Sequence, residues 1–493
     1  MSLLPGPPVA GSMPDDDLAH RTLSLPQSTA LIMGSIIGVG IFSLPYSFAA
    51  YGPISLVAMA LATVGALSLA LLFAVMSRRL PAAGGPYAYA RSGFGNAIGF
   101  ANAWSYWIAT WAGNAAIVVG WVYYVEHFLN RSGQVRWSIA IALIGLWVPA
   151  AINLAGVRTM GSVQVWTTVT KFIPLALMAT VGLFFINTAN FVPWNVSGDS
   201  SLSAIGGAMA IALFSYLGVE TAAVAAAKVR DPERNVGRST LLGTLASACV
   251  YLLSMVAVFG IVPASELALE ANKASYSVAA NLIVGGGSWA GHLVALAVIV
   301  SGIGALNGWT MICAEVPLAA ASDGLFPARF GRESRRGVPA FGIVCPTALA
   351  SGAVVIGYMG TSGSTVFTTL VLMAGISAAV PFGFSALVQI KWRWLDHRHV
   401  DHGTLRHRAL VAPRFALDVA VALVALVFSV AFLFYSRNTG TLWYVVWGPY
   451  LMAGAAFGVG VPVYLAQRRA MTEPDAAPSY RDGVLVTAEE SHR

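Results

Sequence analysis

Two ionisable side chains stand inside apolar runs: Lys171 within TTVTKFIPLALM and Glu220 within FSYLGVET. A charge surrounded by hydrocarbon is costly unless it faces a partner or water, so each position is a candidate for function. Glu220 reads either as a proton-coupled gate or pH sensor, or as a fixed acceptor tying neighbouring helices together. Lys171 reads either as a buried cation that can exchange a proton or as a side chain snorkelling to the nearer interface. A third feature is the run Gly34-Ser35-Ile36-Ile37-Gly38-Val39-Gly40-Ile41-Phe42-Ser43-Leu44-Pro45. Gly34 and Gly38 are four apart and suit close helix packing. Gly38-x-Gly40 also lets the backbone unwind and turn bare N–H groups inward, and such a half-helix terminus attracts an anion. The histidines do not make a catalytic set. Those at 397, 399, 402 and 407 crowd one basic loop, HRHVDHGTLRHR, with irregular spacing. Cys249, Cys313 and Cys345 lack metal-ligand spacing and read as small packing residues, so neither a metal site nor a cofactor is expected.

The elements that must hold these residues follow from composition. Of the 493 residues, 57% are hydrophobic and 10% are charged, against about 45–50% and about 25% in soluble domains. That excludes a cytosolic enzyme, a secreted domain and a disordered chain, and it makes the lipid bilayer the main partner. The net charge of +7 does not imply nucleic acid, because the basic residues sit in short clusters between apolar runs. Twelve runs read as membrane spans, near 26–50, 53–76, 94–128, 137–155, 160–186, 203–227, 239–262, 284–314, 339–358, 365–390, 415–436 and 441–466. Lys and Arg cluster in the loops after spans 2, 4, 6, 8 and 10, for example Arg78, Arg79 and Arg91, or Arg329, Arg332, Arg335 and Arg336. The opposite loops hold only Arg131, Arg136, Lys273 and Arg437. The asymmetry predicts a multi-pass protein of the cell membrane with both termini cytoplasmic. The opening MSLLPGPPVAGSMPDDDLAHR reads as a soluble tail, not a signal peptide, and the polar tail after Arg469 reads as disordered. Glycine-interrupted spans 1 and 6 fall at equivalent places if the chain is two five-span halves plus two further spans. That is the sequence pointer to a transporter site.

The runs GSIIGVGIFSLP, FSYLGVETAAVAAAKVRDPERNVGRST and GALNGWTMICAEVPLAAASDGLFPARFGR together resemble the amino acid–polyamine–organocation (APC) superfamily of transporters. They are most similar to its basic amino acid/polyamine antiporter branch, which includes arginine–ornithine and arginine–agmatine exchangers. The resemblance spans all twelve runs and excludes the tails. It implies an all-α, LeuT-like 5+5 inverted repeat with broken helices 1 and 6 and two peripheral helices. In this chain that gives an N-terminal tail at 1–24, a first repeat at 25–200 and a second at 201–395. Spans 11 and 12 with their basic loop then occupy 396–468, before a C-terminal tail at 469–493. Relatives are often dimers, so a homodimer is one assembly the resemblance allows.

The resemblance also implies roles. A substrate carboxylate would meet the N–H groups of Gly38, Val39 and Gly40, and its α-ammonium the carbonyls near Ile36 and from Phe214 to Leu217. Trp309, in NGWT, matches the family's side-chain-stacking tryptophan, where a cation over an indole gains about 0.5–2 kcal/mol. Asn114 matches a residue that contacts the distal group of the substrate, or it is interhelical glue. Tyr106, eight residues earlier, would line the vestibule, and Ser377 is a weaker candidate of the same type. Lys171 would place its ammonium where sodium-coupled relatives bind the metal ion. Two residues depart from the arginine–agmatine pattern: Val39 replaces a serine and Phe214 replaces a gating tryptophan. The expected activity is therefore sodium-independent antiport of small-molecule cationic amino acids, arginine or lysine against ornithine or a related amine. Proton-coupled symport of broad or neutral specificity is the alternative. Polyamines lack the carboxylate that the span 1 amides suit. No filter sequence suggests a channel, no catalytic set an enzyme, and no Walker A motif an ATPase.

Overall fold

The computed structural model describes residues 23–80, 84–130, 133–224, 229–400, 405–438, 442–469, 479–481 and 484–486. The N-terminal tail to residue 22, Arg131 and Lys228 lie outside them, as do His20 and His492. The side chains of the 397–407 histidine loop are likewise outside the description.

The chain is a bundle of helices. The first apolar run forms α1 (Leu25–Ile36) and α2 (Gly40–Phe48), followed by α3 (Ser55–Arg79) and a short α4 (Pro86–Phe94). Next come α5 (Asn96–Glu126), α6 (Val135–Ala155) and α7 (Val157–Thr180), which tightens into a 3-10 turn at Val181–Phe185. The second interrupted run is α8 (Ser201–Phe214) and α9 (Thr221–Val224). Beyond it lie α10 (Pro232–Ile261), the connecting helices α11 (Ala264–Leu267) and α12 (Ser275–Ile283), and α13 (Trp289–Ser322). The chain ends with α14 (Ala340–Gly360), α15 (Gly363–Val400), α16 (Leu405–Tyr435), α17 (Trp443–Val446) and α18 (Gly448–Gln467).

Among the described residues ten helices are long and apolar enough to cross a membrane, where the sequence predicts twelve. One of the two that fall short has a physical reason: the span 6 run unwinds after Phe214, leaving a half-helix. For span 5, the apolar stretch among the described side chains is Thr170–Phe185. The tail also departs from expectation. β1 (Ser479–Arg481) pairs antiparallel with β2 (Val484–Val486), Tyr480 opposite Leu485. The sequence between them is Asp-Gly, the strongest short hairpin signal.

Burial separates centre from rim. The apolar window of α5 is 100% buried and that of α15 is 83% buried, whereas α16 and α18 bury 22% and 17%. Leu417, Val427, Phe434, Val459 and Leu465 on the rim are exposed, as suits side chains facing lipid. The α5–α15 and α5–α13 pairs and the α10 pairs with α1 and α3 make the inner scaffold. Of the cysteines, Cys313 is buried, Cys345 is half-buried and Cys249 is exposed, so a packing role fits Cys313 and not Cys249.

Ion pairs clasp both ends. Where α3 finishes, Arg79 donates two hydrogen bonds to Asp396, at 2.8 and 3.0 Å. At the same end Arg91 of α4 pairs with Asp323 at 2.8 Å. Beside the start of α3, the Tyr46 hydroxyl donates to Glu270 at 2.6 Å, and Lys273 pairs with Glu126 at 2.6 Å.

Candidate functional site

The last carbonyls of a helix have no partner within it and must find donors elsewhere. At the end of α1 every such group is met. Ile37 N–H donates to the Met33 carbonyl at 2.8 Å, closing the last turn. Lys171 Nζ, from α7, donates to the Gly34 carbonyl at 2.7 Å. Trp309 Nε1, from α13, donates to the Ser35 carbonyl at 3.3 Å. The Tyr251 hydroxyl, from α10, donates to the Ile36 carbonyl at 2.7 Å, and Gly38 N–H reaches the same oxygen at 2.8 Å. Lys171 is 1% exposed, and among the described residues no carboxylate lies within ion-pair distance of it. Its charge instead meets the negative end of the α1 dipole. It does not snorkel.

Beyond the break, α2 starts at Gly40. The first N–H groups of a helix are likewise orphans. Among the described residues the amides of Val39, Gly40 and Ile41 donate to no protein acceptor. They form the positive end of a half-helix, a few residues from the carbonyl end of α1.

The second break closes on itself. After Phe214 the chain runs through successive turns to Thr221. Glu220 is fully buried. One carboxylate oxygen accepts the Gly218 N–H at 3.1 Å, and the other accepts the Tyr106 hydroxyl of α5 at 2.6 Å. The Thr221 hydroxyl donates to the Gly218 carbonyl at 2.6 Å, and Tyr216 shares a 2.6 Å hydrogen bond with Thr63 of α3. Gly218 has φ +109°, and a Cβ there would sit 2.8 Å from the Ser35 carbonyl carbon. The two breaks thus touch backbone to backbone, which only glycine permits.

Between the breaks lies a small cavity, of about 20 Å3. The first break contributes Ser35, Ile36, Gly38, Gly40 and Ile41, and the second Phe214, Ser215 and Leu217. Gly113 and Ile117 of α5 and Trp309 of α13 complete the wall. The Phe214 ring lies against Gly40 and Gly113. None of these lining residues is acidic.

Six of the sequence-predicted residues therefore meet at one cavity: Ile36, Gly38, Gly40, Phe214, Leu217 and Trp309. Gly38 N–H, expected to be free, is engaged by the Ile36 carbonyl, and the free amides are shifted on to Val39, Gly40 and Ile41. The Val39 side chain is buried against Gly302 of α13, outside the lining. Tyr106 stands one layer back, holding Glu220. Asn114 donates to Thr310 of α13 at 3.1 Å, while its neighbour Gly113 lines the cavity. The Ser377 hydroxyl donates to the Met373 carbonyl of its own helix, and the Ser377 carbonyl accepts from Ser105. Sequence reasoning passed over Tyr251 and Ile117. Tyr251 is one of 16 tyrosines and carries no local signal. Ser215 lies within the Phe214–Leu217 run already singled out.

The chain is similar to known transport proteins. The amino acid permease family model matches residues 23–457. An arginine/ornithine antiporter of Pseudomonas aeruginosa PAO1 is 29% identical over 419 residues, 82% of this chain and 86% of that protein. A cadaverine/lysine antiporter of Escherichia coli K12 is 29% identical over 385 residues, 77% of this chain and 85% of that one.

Proposed function

The chain belongs to the amino acid permease family, and from that premise we propose that it is a sodium-independent antiporter of cationic amino acids working by alternating access. One observation carries the reading. The carbonyl end of α1 and, at the start of α2, Gly40 and Ile41 with their free amides line one cavity. A zwitterion presents a carboxylate and an ammonium a few ångströms apart, and the half-helix ends offer opposite partial charges at similar spacing.

In this reading the substrate carboxylate accepts from the amides of Val39, Gly40 and Ile41. Its ammonium donates to carbonyls at Ser35 or Ile36 and along Phe214–Leu217. The side chain lies between Phe214 and Trp309, where a guanidinium or ammonium gains cation–π attraction. Lys171 supplies the cation that a sodium ion supplies in sodium-coupled relatives. Glu220 and Tyr106 set the shape of the second break, and Asn114 and Ser377 line the path once the helices move. The shorter apolar helices Thr170–Phe185 and Ser201–Phe214 complete a twelve-span 5+5 fold in the cell membrane, both termini cytoplasmic, with a homodimer as one assembly the resemblance allows. Similarity to proteins named for arginine/ornithine and cadaverine/lysine exchange supports cationic substrates.

A second reading, proton-coupled symport of broad or neutral specificity, is favoured by the lack of a carboxylate in the lining. Labelled arginine uptake into proteoliposomes separates the two. One set is preloaded with ornithine and one is empty, each with and without an inward proton gradient and without sodium. Antiport gives uptake that needs internal ornithine. Gradient-driven uptake into empty vesicles overturns it, and if arginine does not move in any set the cationic assignment falls.

A further inference from the structure

The segment joining α10 to α13 crosses the end of the bundle that the charge asymmetry reads as outside. Within it a turn at Glu270–Asn272 precedes Lys273, and α12 follows. Lys273 Nζ donates to Glu126 at 2.6 Å and to Glu270 at 3.2 Å, and it stands 5.4 Å from the centre of the Tyr123 ring. Glu126 ends α5, and its side chain is 4% exposed. A buried carboxylate at the negative end of a helix is costly without a cation beside it. Asn130, at 3.0 Å, and Ser138 of α6 donate to its second oxygen and fix its position.

Glu270 also accepts the Tyr46 hydroxyl of α2 at 2.6 Å. The contacts therefore form a chain, Tyr46–Glu270–Lys273–Glu126, from α2 to α5 and α6. α2 and α5 leave the cavity side by side. Gly40 and Ile117 line it. Tyr46 stands six residues beyond the first and Glu126 nine beyond the second, about 9 and 14 Å further along their helices. Between cavity and chain the two helices touch. The Tyr124 hydroxyl donates to the Phe42 carbonyl at 2.8 Å, and a Cβ on Gly120 would sit 2.6 Å from the Ser43 hydroxyl oxygen. A path leaving the cavity between these helices opens only when α2 parts from α5.

We propose that Lys273 is the bolt of an outer latch: through Glu270 and Glu126 it ties the half-helix α2 to the α5–α6 scaffold, and it must leave Glu126 before the cavity opens outward. The proposal rests on the alternating-access reading. When the bolt leaves, the Glu126 carboxylate has to be met by water or by dissolved cations. The closed position is thus favoured by charge and weakened by salt. The Lys273 side chain is 15% exposed, which lets dissolved ions reach the pair.

The test follows a cysteine placed between the two helices. Ser43 is fully buried. Ser43→Cys, in the purified full chain carrying Cys249→Ala, Cys313→Ala and Cys345→Ala, reports the parting of α2 from α5 by its rate of reaction with a charged methanethiosulfonate. Ser77→Cys in the same background, fully buried near the opposite end of α3, reports general loosening. Lys273→Met and Glu126→Gln should each speed the reaction at Ser43→Cys by about tenfold or more and leave Ser77→Cys unchanged. The two residues act on one link, so the double variant should be no faster than the faster single. Tyr46→Phe, at the far end of the chain, should speed it about threefold. Raising salt from about 0.05 to 0.5 M should speed the reaction when Lys273 is present and not in Lys273→Met. Unchanged rates in both single variants overturn the proposal, as does an equal rise at Ser77→Cys or a double variant as fast as the product of the singles. If neither single variant folds, Tyr46→Phe and the salt series decide. No transported substrate enters the assay, so a failure of arginine to move sinks the cationic reading and leaves the latch to be read by itself.

Discussion

The two helix breaks face each other across one cavity, yet they are held by opposite means. The first is held from afar. Its carbonyls are met by Lys171, Tyr251 and Trp309, which stand 137, 215 and 274 positions from their acceptors. The second is held locally. Glu220 caps the amide of Gly218 two residues back, and Thr221 caps the Gly218 carbonyl three residues back. Tyr106 and Thr63 add one long-range hydrogen bond each. The first break is therefore only as stable as the packing of α7, α10 and α13 around it, whereas the second carries its own turn. A helix end that borrows its donors from three neighbours responds when any of them moves. That is the property expected of the part of a transporter that must rearrange.

The largest effect is expected where the two breaks touch. Gly218→Ala places a Cβ against the Ser35 carbonyl carbon at a φ that side-chain-bearing residues rarely adopt. Backbone strain of this kind costs about 1–3 kcal/mol. Exchange should fall by about a hundredfold or more, since the contact shapes both walls of the cavity. Gly352→Ala, which meets nothing within 4 Å, is the control and should change neither exchange nor unfolding temperature.

Lys171→Met comes next. It leaves the Gly34 carbonyl without its donor, and an unsatisfied buried group costs about 1–3 kcal/mol. Amide hydrogen exchange should rise over 33–41 and stay unchanged over 214–221. If protection is lost equally at both breaks, the first is not held separately and the comparison fails.

Glu220→Gln is expected to act in the reverse pattern and more weakly. The amide oxygen still accepts from Tyr106, but the carboxylate oxygen that met the Gly218 N–H is gone. Protection should fall over 214–221 alone, with exchange slowed about tenfold or less.

The smallest effect belongs to Tyr251→Phe. It removes one of two donors to the Ile36 carbonyl and leaves Gly38 N–H in place. Hydrogen bonds between membrane helices average about 0.6 kcal/mol, with a maximum near 1.7. Equilibrium unfolding should register a loss in that range, and a larger one would mean that Tyr251 carries the break by itself.

Much of this was legible in the residues. Glycine clusters and one carboxylate marked both breaks, because an interrupted helix in a bilayer needs just those residue types. Lys171 stood out as a charge among apolar neighbours. The donors to the first break were not legible apart from Lys171 and Trp309, and their acceptors were not legible at all. Asn114 shows the limit most plainly. The sequence offered it as a site residue or as interhelical glue, and the structure turns it toward Thr310 of α13 while Gly113 lines the cavity. Adjacent helical residues point about 100° apart, so a modest rotation of α5 exchanges one for the other.

The sequence by itself determined the membrane class, the run of apolar segments and the two places where helices must break. Those features are local: in hydrocarbon each segment has to satisfy its own backbone, and the need is written into its composition. The tertiary structure decided which side chains answer the carbonyls of α1 and which face of α5 meets the cavity. These depend on how each helix is rotated against the others. That rotation is set by side-chain packing between segments distant in sequence, for which no single segment carries a signal.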